Sequence, residues 1–430
     1  MSPHGRQKRC RDRLSLGTLE ALTRREVPLT CVLVPRERRA GEHRVAATPE
    51  TVKRLIARGC ALIVESGAGL AAGFADVDYR DAGATLLDPR ADDAQARWRD
   101  ADVILSVQGA SLAEAEPGLN QLRPGALLIG LLEPHANTAL LEALQRQHLS
   151  ALALELLPRI SRAQAMDVLS SQANVAGYKA VLLAAAALDR YVPMLMTAAC
   201  TIQPARALIL GAGVAGLQAL ATARRLGAVV VVSDVRPAAK EQVESLGGRF
   251  LEPPRLDQSP TEQGGYAQQA SEAFLAAQRQ QLAEQLAQSD MVICTAQVPG
   301  RPAPRLIDDA MLAGMRPGAV VVDLAVAQGG NCEGTRPGET VLRHGVQLIG
   351  AEALPSSVAH HASALYARNL AALLEHLLGA GPVGAPLALD LEDPIVSGCL
   401  FSHAADAAAP APGTTTAGAT PERQPVGGAA

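Results

Sequence analysis

The stretch Ala207–Gly216, reading Ala-Leu-Ile-Leu-Gly-Ala-Gly-Val-Ala-Gly, limits the possible fold more than any other stretch of the chain. An apolar run feeds three glycines spaced G-x-G-x-x-G, and a helix-like sequence follows at once. Strand, tight turn and helix in that order form half of a parallel βαβ unit. Each glycine has its own task in such a unit. Gly211 permits the turn, Gly213 lets a pyrophosphate approach the backbone, and Gly216 lets the helix lie close on the sheet. Val214 opens the helix, whose positive end suits a phosphate. The pattern alone is weak in a chain rich in Ala and Gly, where an ordinary glycine turn is the competing reading. A second apolar run, Ala228–Ser233, strengthens it by ending in Asp234, about 20 residues on, where a carboxylate accepts hydrogen bonds from a ribose. The fixed negative charge there repels a 2′-phosphate and favours NAD(H) over NADP(H), with Arg236 as the opposing charge.

Composition narrows the remaining classes. The 430 residues are 48% hydrophobic, enough for two or three domains with real cores. A net charge of −4 supplies no basic field for a polyanion, and 2% aromatic residues offer few stacking platforms, so nucleic acid is a poor partner. The seven cysteines are scattered without a C-x-x-C pair, suggesting neither a metal site nor a disulfide framework and fitting a reducing cytoplasm. The most apolar stretch, Ala180–Leu188, is cut by Asp189-Arg190, far short of the ~20 residues that a membrane span needs.

Apolar runs alternate with helix-like stretches from Leu29 onward, the signature of parallel βαβ units. Candidate strands are Thr30–Val34, Ala61–Glu65, Val103–Val107, Ala126–Ile129 and Ser150–Ala153, then Ala207–Leu210, Val229–Ser233, Met291–Thr295, Val320–Asp323 and Val346–Ile349. Thr48 followed by Pro49 marks a helix start. The expected fold is α/β, with two Rossmann-like doubly wound parallel-sheet domains joined by long helices around a cleft. Ser161–Tyr191, broken only by Gly177, would bridge the domains, and Ser363–Leu378 would return to the first. The expected divisions are a disordered extension over 1–28, a discontinuous first domain over 29–165 and 355–399, a nucleotide-binding domain over 166–354 and a disordered tail over 400–430.

The segment Pro158–Ser170 is dense in polar groups at a helix start. Ser161-x-x-Gln164 fits a capping box, with Asp167 complementing the helix dipole, and that structural reading has about even weight with a functional one. On the functional reading, Gln164, Asp167 and Ser171 share one helical face, extended by Asn174 and preceded by Arg159. Such a face offers amide, carboxylate and hydroxyl groups to a flat polar ligand such as a nicotinamide.

Several motifs together extend the reading: Val34–Pro49, Pro158–Gln164, Gly211–Gln218, Lys240–Ser245, Pro299–Pro304, and Val322–Ala325 followed by Gly329-Gly-Asn331. Carrying them, the chain from about Leu29 to Cys399 resembles the NAD(H)-binding α component of the proton-translocating nicotinamide nucleotide transhydrogenases. The resemblance implies NADH bound here, a hydride passed to NADP⁺ on a separate subunit, and membrane subunits that couple the exchange to proton flow. It implies that Arg159, Gln164, Asp167 and Ser170, with Ile160 and Ser161, contact and orient the nicotinamide and its ribose. Asp234, Val235 and Arg236 would meet the adenosine end, Gly265 and Tyr266 would lie in a mobile loop near the nucleotide, and Gln278 and Gln297 would add contacts. It further implies a homodimer, peripheral on the cytoplasmic face of a bacterial inner membrane.

Hydride transfer between two nicotinamides moves no proton at the reacting carbons, so it asks for positioning rather than acid–base groups. The rival with the same motifs is alanine dehydrogenase, which forms and hydrolyses an imine and needs a proton-handling Lys and His. That family places the Lys in a K-V-K-E-P pattern where this chain has Ser106-Val-Gln-Gly109, and its His where this chain has Ile129-Gly-Leu-Leu132; His135 nearby is the only substitute. A non-catalytic NAD(H)-sensing subunit is the second alternative.

Overall fold

The computed structural model describes residues 30–109, 118–254, 272–298, 300–379, 387 and 389–405. The 1–28 extension, most of the 400–430 tail, and Gly265 and Tyr266 lie outside the described residues. The first sheet contains β1 (Thr30–Val34), β2 (Cys60–Glu65), β3 (Thr85–Leu87), β4 (Val103–Gln108), β5 (Leu127–Leu131) and β6 (Ser150–Ala153). A short hairpin, β7 (Leu195–Met196) with β8 (Thr201–Ile202), precedes the second sheet. That sheet contains β9 (Arg206–Leu210), β10 (Val229–Ser233), β11 (Arg249–Phe250), β12 (Met291–Cys294), β13 (Val320–Asp323), β14 (Thr340–Arg343) and β15 (Val346–Gly350). β16 (Leu400–Ser402) then returns to the first sheet.

The sheets run β16-β6-β5-β4-β1-β2-β3 and β11-β10-β9-β12-β13-β15-β14. Apart from the antiparallel edge strands β16 and β14, both have the doubly wound order 3-2-1-4-5-6. Each therefore reverses winding beside its first strand, between β1 and β4 and between β9 and β12. Ligands of such sheets bind outside the carboxyl ends of the strands at that reversal.

The central strands are buried on both faces, which is why they stand out as unbroken apolar runs. In β9, Ala207 and Ile209 enter the core on one face while Leu208 and Leu210 enter the core on the other. The edge strands β3, β11, β14 and β16 and the hairpin escape a reading of hydrophobic runs, because two to four residues carry no resolvable period. β16 also corrects the expected tail: its first three residues, Leu400–Ser402, pair with β6.

Helix α1 (Pro49–Ala57) begins as expected, capped by Thr48, which exchanges hydrogen bonds with Thr51. Helix α2 (Val168–Ala187) joins the two halves: Val168 is buried in the first core, and Ala180, Val181 and Ala184 in the second. Helix α3 (Val214–Arg225) follows the glycine turn, and α4 (Glu272–Leu286) leads into β12. Helix α5 (Ala359–Leu378) lays Tyr366, Leu370 and Leu374 on the first sheet. Among the described residues no helix is long and apolar enough to cross a membrane, and no group of side chains is arranged to hold a metal.

A buried polar network ties α2 to the reversal of the first sheet. The Arg44 guanidinium donates to both Glu42 oxygens at 2.8 and 2.6 Å and to Gln172 Oε1 of α2 at 2.9 Å. Burial works against the Glu42 charge, yet Arg44 holds its carboxyl down to about 2. Nearby Glu37 accepts from the Val107 and Gln108 N–H groups at 2.6 and 3.2 Å, and burial pushes its carboxyl up to about 7 despite them. The folded chain therefore keeps a proton on Glu37 that the unfolded chain releases near pH 4.5, so stability falls as pH rises from about 4.5 to about 7. Melting curves at about pH 5 and about pH 8 should show a smaller decline for Glu37→Gln than for the parent chain. An identical decline in both would remove Glu37 as its source.

Candidate functional site

The turn after β9 has the geometry its glycines imply. Gly211 has φ +102°, and its N–H donates to the Ser233 carbonyl at 2.8 Å. A Cβ on Gly216 would overlap the Gly211 carbonyl oxygen, whereas one on Gly213 would meet nothing within 4 Å. The first observation makes the helix–turn approach depend on glycine; the second leaves an open cradle above the start of α3. Val214, exposed at that start, lies beside the free N–H groups of the first helical turn. A pyrophosphate fits this arrangement by both space and charge.

Asp234 closes one side of the cradle. Its Oδ2 accepts from the Ala212 N–H at 2.6 Å, and its Oδ1 from the Arg236 N–H at 2.8 Å. The Arg236 guanidinium spans both oxygens, with Nε at 3.0 Å and Nη2 at 3.1 Å. Burial opposes the charge, but Arg236 and the two backbone donors hold the carboxyl below its usual range. Four donors occupy the roughly four acceptor positions of the carboxylate, so a ribose must displace the guanidinium. The Arg236 side chain is 61% exposed and free to turn outward, whereas Asp234 is 7% exposed and fixed. Val235 between them is exposed.

The polar segment before α2 departs from the expected capping box. Residues Ser161–Met166 form a 3₁₀ helix whose cap residue is Ile160, with no side-chain cap. The chain then leaves helical geometry at Asp167, where ψ is 89°, and Asp167 caps α2. Its Oδ1 accepts from the Ser170 N–H at 2.9 Å, and its Oδ2 from the Ser170 hydroxyl at 2.6 Å. The break also dissolves the expected single face. Ser171 donates to Asn369 Oδ1 of α5 at 2.7 Å, and Asn174 donates to Gln218 of α3 at 3.3 Å. The residues left at the rim are Arg159, Ile160, Ser161 and Gln164, all exposed, with Asp167 and Ser170 half-buried behind them. Among the described residues the Arg159 and Gln164 side chains have no hydrogen-bond partner.

Two helix contacts join this rim to the cradle. A Cβ on Gly177 of α2 would overlap the Ala215 carbonyl oxygen of α3, so the helices cross there at backbone contact. Asp167 lies ten residues before Gly177, about 15 Å along the helix at ~1.5 Å per residue. The rim thus stands at one end of α2 and the cradle beside its middle, a span suited to an extended dinucleotide. Asn369 was not expected: its Nδ2 donates to the Ala165 carbonyl at 2.8 Å while its Oδ1 receives Ser171, fixing the 3₁₀ turn to α2. Its one sequence signal is an amide inside an Ala- and Leu-rich helix.

Gln297 is exposed after β12, its Nε2 donating to the Leu324 carbonyl at 2.8 Å. Gln278 is half-buried in the second turn of α4. At the positions where the rival chemistry needs proton-handling groups, Ser106 is buried with an unpaired hydroxyl, Gln108 donates to Glu42 at 3.2 Å, and His135 is an exposed loop residue.

Asp167→Ala separates capping from ligand positioning. Loss of the cap alone should cost about 1 kcal/mol. We expect a larger loss in NADH binding and turnover than in melting temperature, because two of the carboxylate's acceptor positions remain open to a ligand. Equal losses in all three would make the residue a cap and nothing more.

Comparison with known proteins agrees with this geometry. Residues 33–176 match the family model described as alanine dehydrogenase/PNT, N-terminal domain, and residues 180–408 its C-terminal domain. The chain is 46% identical over 369 residues to an NAD(P) transhydrogenase alpha subunit of Rhodospirillum rubrum, covering 85% of this chain and 94% of that protein. It is 32% identical over 307 residues to an alanine dehydrogenase of Mycobacterium tuberculosis, covering 71% and 74%. A solved transhydrogenase from Sinorhizobium meliloti superposes with a TM-score of 0.76 at 44% identity, covering 87% of this chain and 99% of that one.

Proposed function

The chain belongs to the alanine dehydrogenase/PNT family of NAD-binding oxidoreductases, and from that premise we propose that it is the NAD(H)-binding component of a proton-translocating transhydrogenase. When bound, NADH supplies the hydride, and NADP⁺ on a partner subunit receives it. The observation that carries the proposal is the pairing of a built cradle with an open rim. Gly211, Gly213 and Gly216 receive the pyrophosphate and Asp234 the adenosine ribose, with Arg236 turned outward along the adenosine. Arg159, Gln164, Asp167 and Ser170 orient the nicotinamide end, with Ile160 and Ser161 against it. Gly265 and Tyr266 are assigned to a loop near the nucleotide, and Gln278 and Gln297 to its flanks.

Every side chain at the rim is a hydrogen-bonding or apolar group without a proton to exchange near neutral pH, which suits orientation for hydride transfer. The two nicotinamide rings must approach to about 3–3.5 Å, so the rim has to stay open to a docking polypeptide. Its exposure meets that demand. Membrane subunits would couple the exchange to proton flow, with this chain peripheral on the cytoplasmic face of the inner membrane. A homodimer completes the proposal: Tyr191, Met194 and Met196, beside or within the hairpin, are 57, 59 and 72% exposed and offer an apolar surface for a second copy to cover.

The test mixes the chain with an NADP(H)-binding partner subunit and follows nucleotide exchange by absorbance. Exchange that requires both proteins is expected. Tight NADH binding without exchange would instead support a sensing subunit, and NADH oxidation driven by pyruvate and ammonia would support the alanine dehydrogenase reading.

A further inference from the structure

The motif Gly329-Gly330-Asn331 lies outside the cradle, yet it sits beneath it. Asn331 is 0% exposed, as is Asp323 at the end of β13. The Asn331 amide is fully used: Oδ1 accepts from the Ala296 N–H at 3.1 Å, and Nδ2 donates to the Ala296 and Pro304 carbonyls, each at 2.8 Å. Asp323 accepts from the Ala325 N–H at 2.9 Å, the Cys332 N–H at 3.0 Å and the Thr335 hydroxyl at 3.0 Å. These two side chains therefore grip the turns that leave β12 and β13.

Those turns are the walls of the crevice at the winding reversal. The Thr295 hydroxyl donates to the Leu210 carbonyl at 3.0 Å, next to the glycine turn, and a Cβ on Gly211 would lie 3.2 Å from the Ala296 nitrogen. Gln297 then reaches from the β12 turn to the Leu324 carbonyl of the β13 turn at 2.8 Å. The two glycines before Asn331 make the grip possible. Gly329 and Gly330 have φ of +97° and +79°, and a Cβ on Gly330 would press on Thr335 Oγ1 at 2.8 Å and Asp323 Oδ2 at 2.9 Å.

We infer that Asn331 is a positioning residue for the dinucleotide: by clasping both backbone polar groups of Ala296, it sets the height of the Ala296–Gln297 wall against the glycine cradle. This rests on the NAD(H) reading of the site and adds to it a residue that touches no ligand. The chemistry of the clasp is specific to an amide. A carboxylate at 331 would face two carbonyl oxygens, and an alanine would leave one N–H and two carbonyls buried without partners.

The experiment compares Asn331→Asp, Asn331→Ala and the milder Asn331→Ser with Thr335→Val in the full chain. Thr335→Val loosens the same buried unit but leaves the hydrogen bonds to Ala296 and Ala325 in place. Readouts are the NADH dissociation constant by nucleotide fluorescence, the melting temperature, and KM and kcat for exchange with the partner subunit. We expect all three Asn331 variants to bind NADH about tenfold or more weakly and to raise KM, with kcat at saturating NADH within about twofold of the parent. Thr335→Val should lose melting temperature without losing affinity. Parental NADH affinity in Asn331→Ser, or an equal affinity loss in Thr335→Val, would overturn the inference while leaving the site assignment standing. Failure of the parent chain itself to bind NADH would overturn both.

Discussion

Replacing Asp234 by Ala should weaken NADH binding about ten- to a hundredfold and narrow the preference for NADH over NADPH. The carboxylate is nearly buried and serves four donors, so its loss leaves the Ala212 N–H unpaired and releases Arg236. A hydrogen bond to a charged group contributes about 1.5–3 kcal/mol, and each ~1.4 kcal/mol is a tenfold change in affinity. The change in selectivity has a separate cause. The negative charge that repels a 2′-phosphate disappears, and a freed guanidinium that attracts one remains. Since Asp234 titrates below the usual carboxylate range, its contributions to stability and affinity persist above that range and are lost only as pH falls through the lowered value. Titration of both nucleotides by fluorescence or calorimetry checks the result. Unchanged NADH affinity, or unchanged selectivity, would remove Asp234 from the ribose site.

Gly177→Ala should lower both the melting temperature and the exchange rate, against the trend for helices in general. In an exposed helix, Ala is favoured over Gly by about 1 kcal/mol. Here the added methyl must displace the Ala215 carbonyl, a backbone atom that cannot swing aside. Overpacking of this kind costs about 1–3 kcal/mol. Pushing α2 off α3 strains the Asn174–Gln218 bond and shifts the Asp167 end relative to the cradle. A misplacement of about 1 Å costs on the order of a hundredfold in rate, so turnover should fall by more than stability alone explains. Binding of adenosine diphosphate, which reaches only the cradle side, should change less than binding of NADH. A variant as stable and active as the parent would mean that the helix crossing does not set the site.

Much of the architecture was legible in the chain because the central strands are buried on both sides. Runs such as Val229–Ser233 and Val320–Asp323 have no solvent face to interrupt them. The glycine turn was legible because each glycine meets a distinct backbone demand. The start of α2 was not: Ser161 and Asp167 are both good caps, and only the chain path around Met166 decides between them. Gly177 resembled an interruption because a packing contact with Ala215, 38 residues later, leaves no local trace. Ser171 and Asn174 share a helix with Ser170, but their partners on α5 and α3 turn them away from the rim. The Asn331 clasp joins positions 35 and 27 residues apart, beyond the reach of any spacing rule.

The central claim is that the nicotinamide end of NADH is held at an open rim for direct hydride transfer to a nucleotide on another polypeptide. The most direct measurement supplies NADH deuterated at the transferring position of C4, together with NADP⁺ and the NADP(H)-binding partner, and follows the label by mass spectrometry. The account predicts deuterium in NADPH with none lost to water, and transfer only when this chain is present. Label washed into solvent, or NADH consumed without labelled NADPH, would contradict it.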